Sequence, residues 1–305
     1  MIHTPIRIKR KSQINSTLLR WYRKSGRSLP WRNEKDPYRI LVSEVMLQQT
    51  QVSRVLTMYP RFLKRFSSLR KLASARTSDV IRAWQGMGYN NRPLRLQKLS
   101  MIVTKNHGGK LPNTIPELEA LPGIGRYTAH AVASFAFGQH VPIVDTNIRR
   151  VLMRLRHRES PRRHLREDDV WNLAESLLPR RHSHDWNQAL MDLGSTICTA
   201  ANPGCDICPL AEFCSSAHVV ERRRAAAGRV ERGRDGIPNR IYRGRIVQAL
   251  RELKTGETIR RSTLADKIKP GFKSMDGRWL DSLLKGLKKD GLIRLHPRTK
   301  ISLPD

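Results

Sequence analysis

Acidic side chains are few in this chain of 305 residues, and no long apolar run occurs. Its 26 Asp and Glu face 58 Lys and Arg, which gives a formal net charge of +32 at pH 7. That surplus argues against an enzyme for small neutral substrates and favours a polyanionic partner. No apolar stretch reaches the roughly 20 residues of a membrane helix, and the basic start lacks the apolar centre of a secretory signal. We therefore expect an intracellular protein of the cytoplasm or nucleoid, without a membrane partner.

Aromatic side chains are also scarce, with six each of Phe, Tyr and Trp. So few rings argue against an extended stacking surface for single-stranded nucleic acid. Hydrophobic residues still make up 39% of the chain, enough for buried cores, which argues against a disordered protein. Because the basic residues are spread along the whole chain, we expect a nucleic acid whose phosphates many dispersed cations neutralise.

Apolar residues recur at helical spacing as far as residue 215, and no run of alternating strands interrupts them. The main body is therefore predicted to be all-α. Residues 216–238 are basic and rich in small residues, which predicts a linker. Helices predicted over 241–253, 262–268 and 278–289 then precede alternating stretches at 292–295 and 300–303. This order predicts a winged-helix-like α+β module over residues 239–305, which binds either DNA or another protein.

The four cysteines fall within seventeen residues, at Cys198, Cys205, Cys208 and Cys214. An intracellular chain would not normally use such a group for disulfides. Four thiolates on one short loop suit either a zinc ion or an iron–sulfur cluster, since both prefer sulfur ligands. The spacing contains one C-x2-C pair, whereas zinc sites usually have two. The sequence thus predicts a metal site and leaves the metal open.

A carboxylate interrupts the apolar helix predicted over residues 40–52. On a helical period Glu44 shares one face with Leu41, Val45 and Gln48, so this face is not a simple apolar core. A carboxyl group held among apolar neighbours has a raised pKa and suits general acid catalysis near neutral pH. The alternative is a buried glutamate that caps a neighbouring helix.

A second carboxylate, Asp145, follows an apolar run at 141–144 and precedes a helix predicted over 146–155. This is an ordinary N-cap position, and a helix N-terminus favours the ionised form. One protonated and one ionised carboxyl group are the arrangement that cleaves bonds to a sugar carbon through a cationic transition state. Glu44 and Asp145 are therefore candidate catalytic residues.

Gly123 and Gly125 lie in a predicted turn at 122–125, just before a helix predicted over 126–137. Glycines permit a tight turn whose backbone amides face outward at the start of that helix. Together with the helix dipole, such amides form an anion site suited to a DNA phosphate. Most G-x-G sequences are only turns, but this one lies in a strongly basic chain.

In this order the motifs resemble the helix-hairpin-helix DNA glycosylase superfamily, and most nearly its MutY-like adenine glycosylases. The resemblance runs from about residue 29 to residue 214. It rests on the cysteines and on LPWR (29–32), DPYRILVSEVMLQQTQV (36–52), WQGMGY (84–89), LPGIGRYTA (121–129), PIVDTNIRRVL (142–152) and NQALMDLG (187–194).

The resemblance implies a two-domain helical glycosylase fold. An iron–sulfur cluster domain would comprise residues 1–30 and 141–215, and a domain with the helix-hairpin-helix would comprise residues 31–140. The linker 216–238 and the module 239–305 would follow. The four cysteines would hold a [4Fe–4S] cluster with a structural or DNA-sensing role. The partner would be double-stranded DNA with a mismatched or damaged base, bound by a monomer.

The resemblance also implies roles for individual residues. Glu44 would protonate the departing purine, and Asp145 would stabilise the sugar cation. Tyr127 stands where related lyases carry a Schiff-base lysine, so the enzyme would be monofunctional. The residues that would contact DNA or the flipped base, or support Asp145, are Trp31, Arg32, Gln48, Gln49, Met87, Tyr89, Gly123, Gly125 and Asn147.

Two departures from the MutY pattern leave alternatives open. MutY proteins usually read Asp-Gly-Asn where this chain has Thr146 between Asp145 and Asn147, and they usually carry a Nudix-like domain where this chain has the short module. Excision of thymine or uracil opposite guanine is the second enzymatic interpretation. A non-catalytic iron–sulfur DNA-binding regulator is the alternative of another class.

Overall fold

The computed structural model describes residues 8–156, 166–219 and 233–305. Before residue 233 these ranges contain helices and loops but no strand, which confirms the predicted all-α main body. None of the described helices is long and apolar enough to span a membrane. Residues 220–232, the greater part of the predicted linker, lie outside the described ranges.

The described residues form α-helices throughout the main body and again after residue 238. The helices are α1 (Ile8–Ser25), α2 (Pro37–Leu47), α3 (Val52–Arg65), α4 (Leu69–Ala73), α5 (Thr77–Ala83), α6 (Asn91–Asn106), α7 (Ile115–Glu119), α8 (Arg126–Phe135), α9 (Thr146–Arg156), α10 (Glu167–Leu177), α11 (Ser183–Thr196), α12 (Asn239–Arg251), α13 (Arg261–Ile268) and α14 (Gly277–Lys289).

Short strands occur only after residue 232 in the described ranges. The strands are β1 (Gly233–Arg234), β2 (Ile237–Pro238), β3 (Ile259–Arg260), β4 (Arg294–His296) and β5 (Lys300–Ser302). β1 and β2 form a two-stranded antiparallel hairpin. The other three form an antiparallel sheet in the order β3-β5-β4, with Leu295 opposite Ile301.

The chain divides into two compact units, and the described residues of unit 1 are 8–40, 113–116, 124–156 and 166–219. Its helices pack in the pairs α1–α11, α9–α11, α9–α10 and α8–α11. α9 shows why the sequence folds this way, because Ile148, Val151, Leu152 and Leu155 recur at helical spacing and are all buried. Unit 1 carries Asp145 and the cysteine loop.

Unit 2 comprises residues 41–112, 117–123 and, among the later residues, 233–305. Here α4 and α5 pack on α6, and α12 packs on α5, α13 and α14. The buried face of α14 is formed by Leu280, Leu283, Leu284 and Leu287. Unit 2 therefore contains Glu44 and also the whole C-terminal module.

The helix predicted over residues 40–52 is interrupted, and this part of the prediction was wrong. α2 ends at Leu47, α3 begins at Val52, and Gln49 between them has a left-handed backbone with φ 54°. Carbonyl oxygens at the end of a helix have no partner within it, and here a buried guanidinium binds them, as described below. Gln48 therefore lies beyond α2, and not on the helical face that carries Glu44.

A further local prediction, that residues 216–238 are a linker throughout, needs correction. The last residues of the predicted linker form the β1–β2 hairpin. Asp235 and Gly236 at its tip both have positive φ, the type I′ geometry for which Asp-Gly is a preferred sequence.

Candidate active site and cysteine loop

Glu44 is buried in the interior of α2, with 3% of its surface exposed. Its neighbours along the helix, Val42, Val45 and Met46, are apolar and buried as well. Glu44 therefore lies in an apolar helix, as the sequence predicts. Ionising a carboxyl group in such surroundings costs free energy unless a partner compensates it.

The loop that follows α5 carries Met87 and Tyr89, which differ in their exposure to solvent. Met87 is buried, whereas 59% of Tyr89 is exposed and its backbone is left-handed, with φ 43°. A positive φ is unfavourable for a bulky aromatic residue. The surrounding contacts therefore impose this conformation on the loop.

Arg92 of α6 supplies those contacts, although the sequence analysis did not single it out. Its Nη1 donates to the carbonyl oxygens of Val45, Met46 and Gln48 at 2.8, 2.9 and 2.6 Å. Its Nη2 donates to the Oγ1 of Thr50 at 2.9 Å and to the carbonyl oxygen of Met87 at 3.0 Å.

The Arg92 guanidinium thus connects the end of α2 to the loop at residues 86–90. It also lies 5.3 Å from the ring centroid of Trp84 and 5.5 Å from that of Tyr89. Burial lowers the pKa of Arg92 to about 10, which still leaves it charged at neutral pH. Arg92 therefore fixes the two loops that carry Gln48, Gln49 and Tyr89.

Asp145 lies in unit 1 and caps α9 as predicted. Its Oδ1 accepts a hydrogen bond of 2.6 Å from the backbone N–H of Ile148, and its Oδ2 accepts one of 3.0 Å from the Asn147 side chain. Burial nevertheless raises the pKa of Asp145, and this outweighs the hydrogen bonds and the Arg150 charge, which lower it. The hydrogen bonds at the helix terminus thus favour the ionised form, as expected from the sequence, but burial is the larger influence on the pKa of Asp145.

Asn147 continues this hydrogen-bond network towards the cysteine loop. The Oδ1 of Asn147 accepts from Nη2 of Arg150 at 2.8 Å, and the same guanidinium donates to the carbonyl oxygens of Gly194 and Cys198. A Cβ at Gly194 would lie 2.8 Å from the Cβ of Asn147, so glycine is required for this close approach of α9 and α11.

The four cysteines line one cavity in unit 1, together with Arg154 and Pro203. None of them forms a disulfide. Nη1 of Arg154 donates to the Sγ of Cys198 at 3.3 Å, and the Sγ of Cys214 lies 3.3 Å from the carbonyl oxygen of Arg154. Burial, with added repulsion from the other three sulfur atoms, raises the pKa of the Cys208 thiol to about 11. The loop thus brings four soft donors together.

In the turn before α8, only one of the two glycines has the left-handed backbone that favours glycine. Gly123 has φ 85°, which favours glycine, and is exposed. Gly125 is also exposed, but its φ of −107° is open to any residue and an added Cβ would contact nothing within 4 Å. Tyr127 lies half-buried in the first turn of α8.

Trp31 and Arg32 are both buried in unit 1. Arg32 makes a two-point ion pair with Asp192 of α11, at 2.8 and 2.6 Å, and donates to the hydroxyl of Tyr22 at 2.9 Å. Arg27 also donates to the Asp192 carboxylate through its backbone N–H and its Nε. These contacts give Arg32 a structural role, and contact with a flipped base stays a prediction. Asp192 was missed, although it too is a carboxylate in an apolar helix.

Comparison with known proteins identifies the family. Residues 42–176 match the model of the HhH-GPD superfamily base excision DNA repair protein. An adenine DNA glycosylase of Mycobacterium tuberculosis (strain ATCC 25618 / H37Rv) is 40% identical over 246 residues, which cover 78% of each chain. This chain belongs to the HhH-GPD superfamily.

Two further relatives show how much of this HhH-GPD protein is similar to known proteins. An adenine DNA glycosylase of Mycolicibacterium smegmatis is 38% identical over 281 residues, covering 90% of this chain and 91% of that protein. The structure of a thermostable thymine-DNA glycosylase is 30% identical, with a TM-score of 0.65, and covers 70% of this chain and 98% of that one. The first match therefore extends into the C-terminal module.

Proposed function

We propose that this HhH-GPD glycosylase removes adenine that lies opposite 8-oxoguanine or guanine in double-stranded DNA. The choice of adenine rests on the two mycobacterial adenine DNA glycosylases, which match most of the chain. The chemistry rests on one observation, the presence of Glu44 and Asp145 in contrasting surroundings. A non-catalytic regulator would have no reason to keep both carboxyl groups.

In the proposed reaction Glu44 donates a proton to the adenine base as the N-glycosidic bond breaks. The bonding electrons leave with the base, and the sugar becomes an oxocarbenium-like cation. The Asp145 carboxylate stabilises that cation, and a water molecule then adds to the sugar carbon and loses a proton. Asn147 supports Asp145 through the 3.0 Å hydrogen bond to its Oδ2.

The reaction would stop at an abasic site with the DNA strand intact. Strand cleavage by related lyases requires an amine that attacks the sugar carbon, and here the corresponding position is Tyr127. A phenol cannot form a Schiff base. The proposed enzyme is therefore a monofunctional glycosylase. The proposal also includes, from the family resemblance alone, that it acts as a monomer.

Contacts to DNA would come from four pairs of residues. The exposed Tyr89 and the buried Met87 would distort the base stack. Gln48 and Gln49 would contact the helix near the extruded base, and Trp31 and Arg32 would contact the base itself. Opening the stack costs a few kcal/mol and is easiest at a mismatch. The exposed amides near Gly123 and Gly125 would bind a backbone phosphate.

A [4Fe–4S] cluster is the cofactor that fits the cysteine loop best. Cys198, Cys205, Cys208 and Cys214 line one cavity. Four thiolate ligands on one loop are the donor set that a [4Fe–4S] cluster requires. When bound, the cluster would fix this loop and respond to DNA. Arg154, which donates to Cys198, would hold the loop in place.

The proposed domains correspond to these functions. Residues 1–30 and 141–215 would form the cluster domain, and residues 31–140 the domain with the helix-hairpin-helix. Residues 239–305 would form a winged-helix-like module, since three helices and the β3-β5-β4 sheet are consistent with that fold. Exposed cations on its β4–β5 hairpin, such as Arg298 and Lys300, would add DNA contacts.

Excision of thymine or uracil opposite guanine is the second candidate. It is favoured by Thr146, which gives the sequence Asp-Thr-Asn, and by the 30% identity to the thymine-DNA glycosylase structure. The mycobacterial adenine glycosylases are more similar in sequence and match more of the chain. Adenine therefore remains the proposed substrate.

Single-turnover cleavage of labelled duplexes, with alkali treatment, tests the proposal. The duplexes would carry adenine opposite 8-oxoguanine or guanine, and thymine or uracil opposite guanine. We expect adenine release, with strand breaks only after alkali. Release of thymine or uracil with adenine untouched would establish the second candidate, and breaks without alkali would contradict the monofunctional assignment.

A further inference from the structure

The C-terminal module shares a hydrophobic core with the glycosylase part of unit 2. Ile81 of α5 belongs to the same buried cluster as Tyr242, Ile246 and Leu250 of α12. Leu94 of α6, which is partly buried, packs against this cluster. Burial of such side chains favours association by about 25 cal/mol for each Å² of apolar surface. Within unit 2 the module is therefore packed on α5 and α6.

Two arginines reinforce this packing, one from each side. Nη2 of Arg82 on α5 donates to the carbonyl oxygen of Leu253 at 2.9 Å. In return, Nε of Arg251 on α12 donates to the carbonyl oxygen of Ile81 at 3.0 Å. The Leu253 carbonyl lies two residues beyond the end of α12, and the Ile81 carbonyl lies in the last turn of α5, where it also accepts a hydrogen bond from the Trp84 N–H at 3.3 Å.

Arg251 reaches further, to the loop that carries Tyr89. Its Nη2 donates to the Oδ1 of Asn90 at 2.9 Å. Asn90 occupies the N-cap position of α6, yet its side chain makes no capping hydrogen bond. This asparagine thus directs its acceptor to Arg251, and not to the helix that it precedes.

The loop at residues 86–90 is consequently held by two guanidinium groups. Arg92 binds the carbonyl oxygen of Met87 from α6, and Arg251 binds Asn90 from α12. Tyr89, exposed and left-handed, lies between these two anchored residues. Losing either anchor would let this unfavourable backbone conformation relax.

We propose that the C-terminal module positions residues 86–90 for base excision, through the hydrogen bond from Arg251 to Asn90. This inference rests on the proposed glycosylase function, and it gives the module a role beyond binding DNA. Arg251 and Asn90 are positioning residues, because they act through Tyr89. The match to the Mycolicibacterium smegmatis enzyme over 90% of this chain is consistent with a module built into the enzyme.

Substitutions at Asn90 in the full-length protein test this role. Asn90→Ala removes the acceptor, and we expect single-turnover excision to slow about tenfold, since small displacements near a reacting group are costly, with duplex affinity and melting temperature nearly unchanged. Asn90→Asp keeps the oxygen that Arg251 binds, so it should retain a rate near that of the native protein. Asn91→Ala is the matched control. Equal rates for all three variants, or an equal loss in all three, would overturn the proposal.

A double-mutant cycle asks whether Asn90 acts through Arg251. Asn90→Ala, Arg251→Lys and the double variant should show strongly non-additive losses of rate if the two side chains form one contact. Additive losses would contradict the proposed contact. Should Arg251→Lys fail to fold, the Asn90 variants still decide the matter.

Amide hydrogen exchange in the absence of DNA separates this inference from the proposed function. The backbone N–H groups of Met87 and Arg92 donate to the carbonyl oxygens of Trp84 and Tyr89. We expect both to exchange faster in Asn90→Ala than in Asn90→Asp or Asn91→Ala. This result would support the positioning role even if no adenine were released. Unchanged exchange in an active enzyme would overturn the inference and leave the glycosylase assignment intact.

Discussion

Glu44 and Asp145 are both carboxyl groups with limited access to water, but their surroundings differ. Glu44 lies in the middle of α2 among buried apolar residues, where the helix backbone already uses its own N–H groups. Asp145 lies just before α9, where unused N–H groups meet its oxygens, and Asn147 and Arg150 add further polar contacts. The two positions thus offer a carboxyl group different surroundings, a helix interior in one case and a helix N-terminus in the other.

In the proposed mechanism, this contrast lets one chain provide an acid and an anion from the same functional group. Helix interior and helix N-terminus are backbone environments of opposite character for a carboxylate. For Asp145 the polar contacts only partly offset burial, since the pKa remains raised. Substitutions at these carboxyl groups and at the residues that position nearby loops should therefore differ in the size of their effects.

Among the variants that leave Glu44 unchanged, Asp145→Asn should give the largest loss, because it removes the negative charge but keeps an oxygen for the Ile148 N–H. Loss of one preorganised electrostatic contact typically costs about 10²–10³-fold in rate, and we expect at least this in single-turnover adenine release. Asp168→Asn is the control, since Asp168 also lies at the N-terminus of a helix in unit 1 but is exposed. Full activity of Asp145→Asn would remove Asp145 from the mechanism.

Arg92→Lys should give the next largest loss of excision rate, because an ammonium group cannot donate to the carbonyl oxygens of both loops at once. We expect excision to slow by about 10- to 100-fold and unfolding to become easier by about 2–4 kcal/mol, as buried acceptors lose partners. Rates and thermal unfolding measure the two effects. Arg95→Lys, an exposed position on the same helix, should change neither, and an Arg92→Lys protein that matched this control would contradict the anchoring role.

Asn147→Ala should alter the pH dependence more than the maximal rate. Burial raises the pKa of Asp145 and the Asn147 hydrogen bond lowers it, so removing that bond raises the pKa further. Because Asp145 must be ionised to act, excision falls as the pH drops through this pKa. The acidic limb of the rate profile should therefore move to higher pH in Asn147→Ala, but not in the control Asn172→Ala. An unshifted limb would mean that another group controls it.

Gly125→Ala should have the smallest effect, a loss of duplex affinity of about fivefold, since a methyl group would obstruct phosphate approach to the helix amides. The native backbone accommodates alanine there, with φ −107° and open space, so stability should be unchanged. Gly244→Ala in α12 is the matched control and should stabilise that helix by about 1 kcal/mol. Equal affinities in a titration of all three proteins would argue against a phosphate site at Gly125.

Much of the helical framework could be predicted from the sequence, because buried residues such as Ile148, Val151 and Leu155 recur with helical period. Local signals also placed Asp145 as an N-cap. The end of α2 was missed since it depends on Arg92, about forty residues later in the chain. Periodicity within a segment contains no information on such a distant contact.

The contacts of buried polar residues were the least predictable part of the candidate site. Nothing in the sequence marks Arg92 or Arg251 among 58 Lys and Arg as the ones that bind carbonyl groups. Asp192 could have been found, because it interrupts an apolar helix as Glu44 does. The Asp-Gly sequence at residues 235–236 was likewise a readable signal for the β1–β2 hairpin.

Glu44→Gln tests the central claim most directly, because it keeps the size and buried position of the side chain and removes only the transferable proton. Single-turnover release of adenine opposite 8-oxoguanine should fall by about 10²–10⁴-fold. The dissociation constant for the same duplex should stay within about twofold of that of the native protein, a change of less than about 0.5 kcal/mol in binding free energy. The exposed Glu119→Gln on α7 should behave as the native protein. Adenine release by Glu44→Gln at the native rate would contradict the assignment of Glu44 as the acid, and with it the proposed division between the two carboxyl groups.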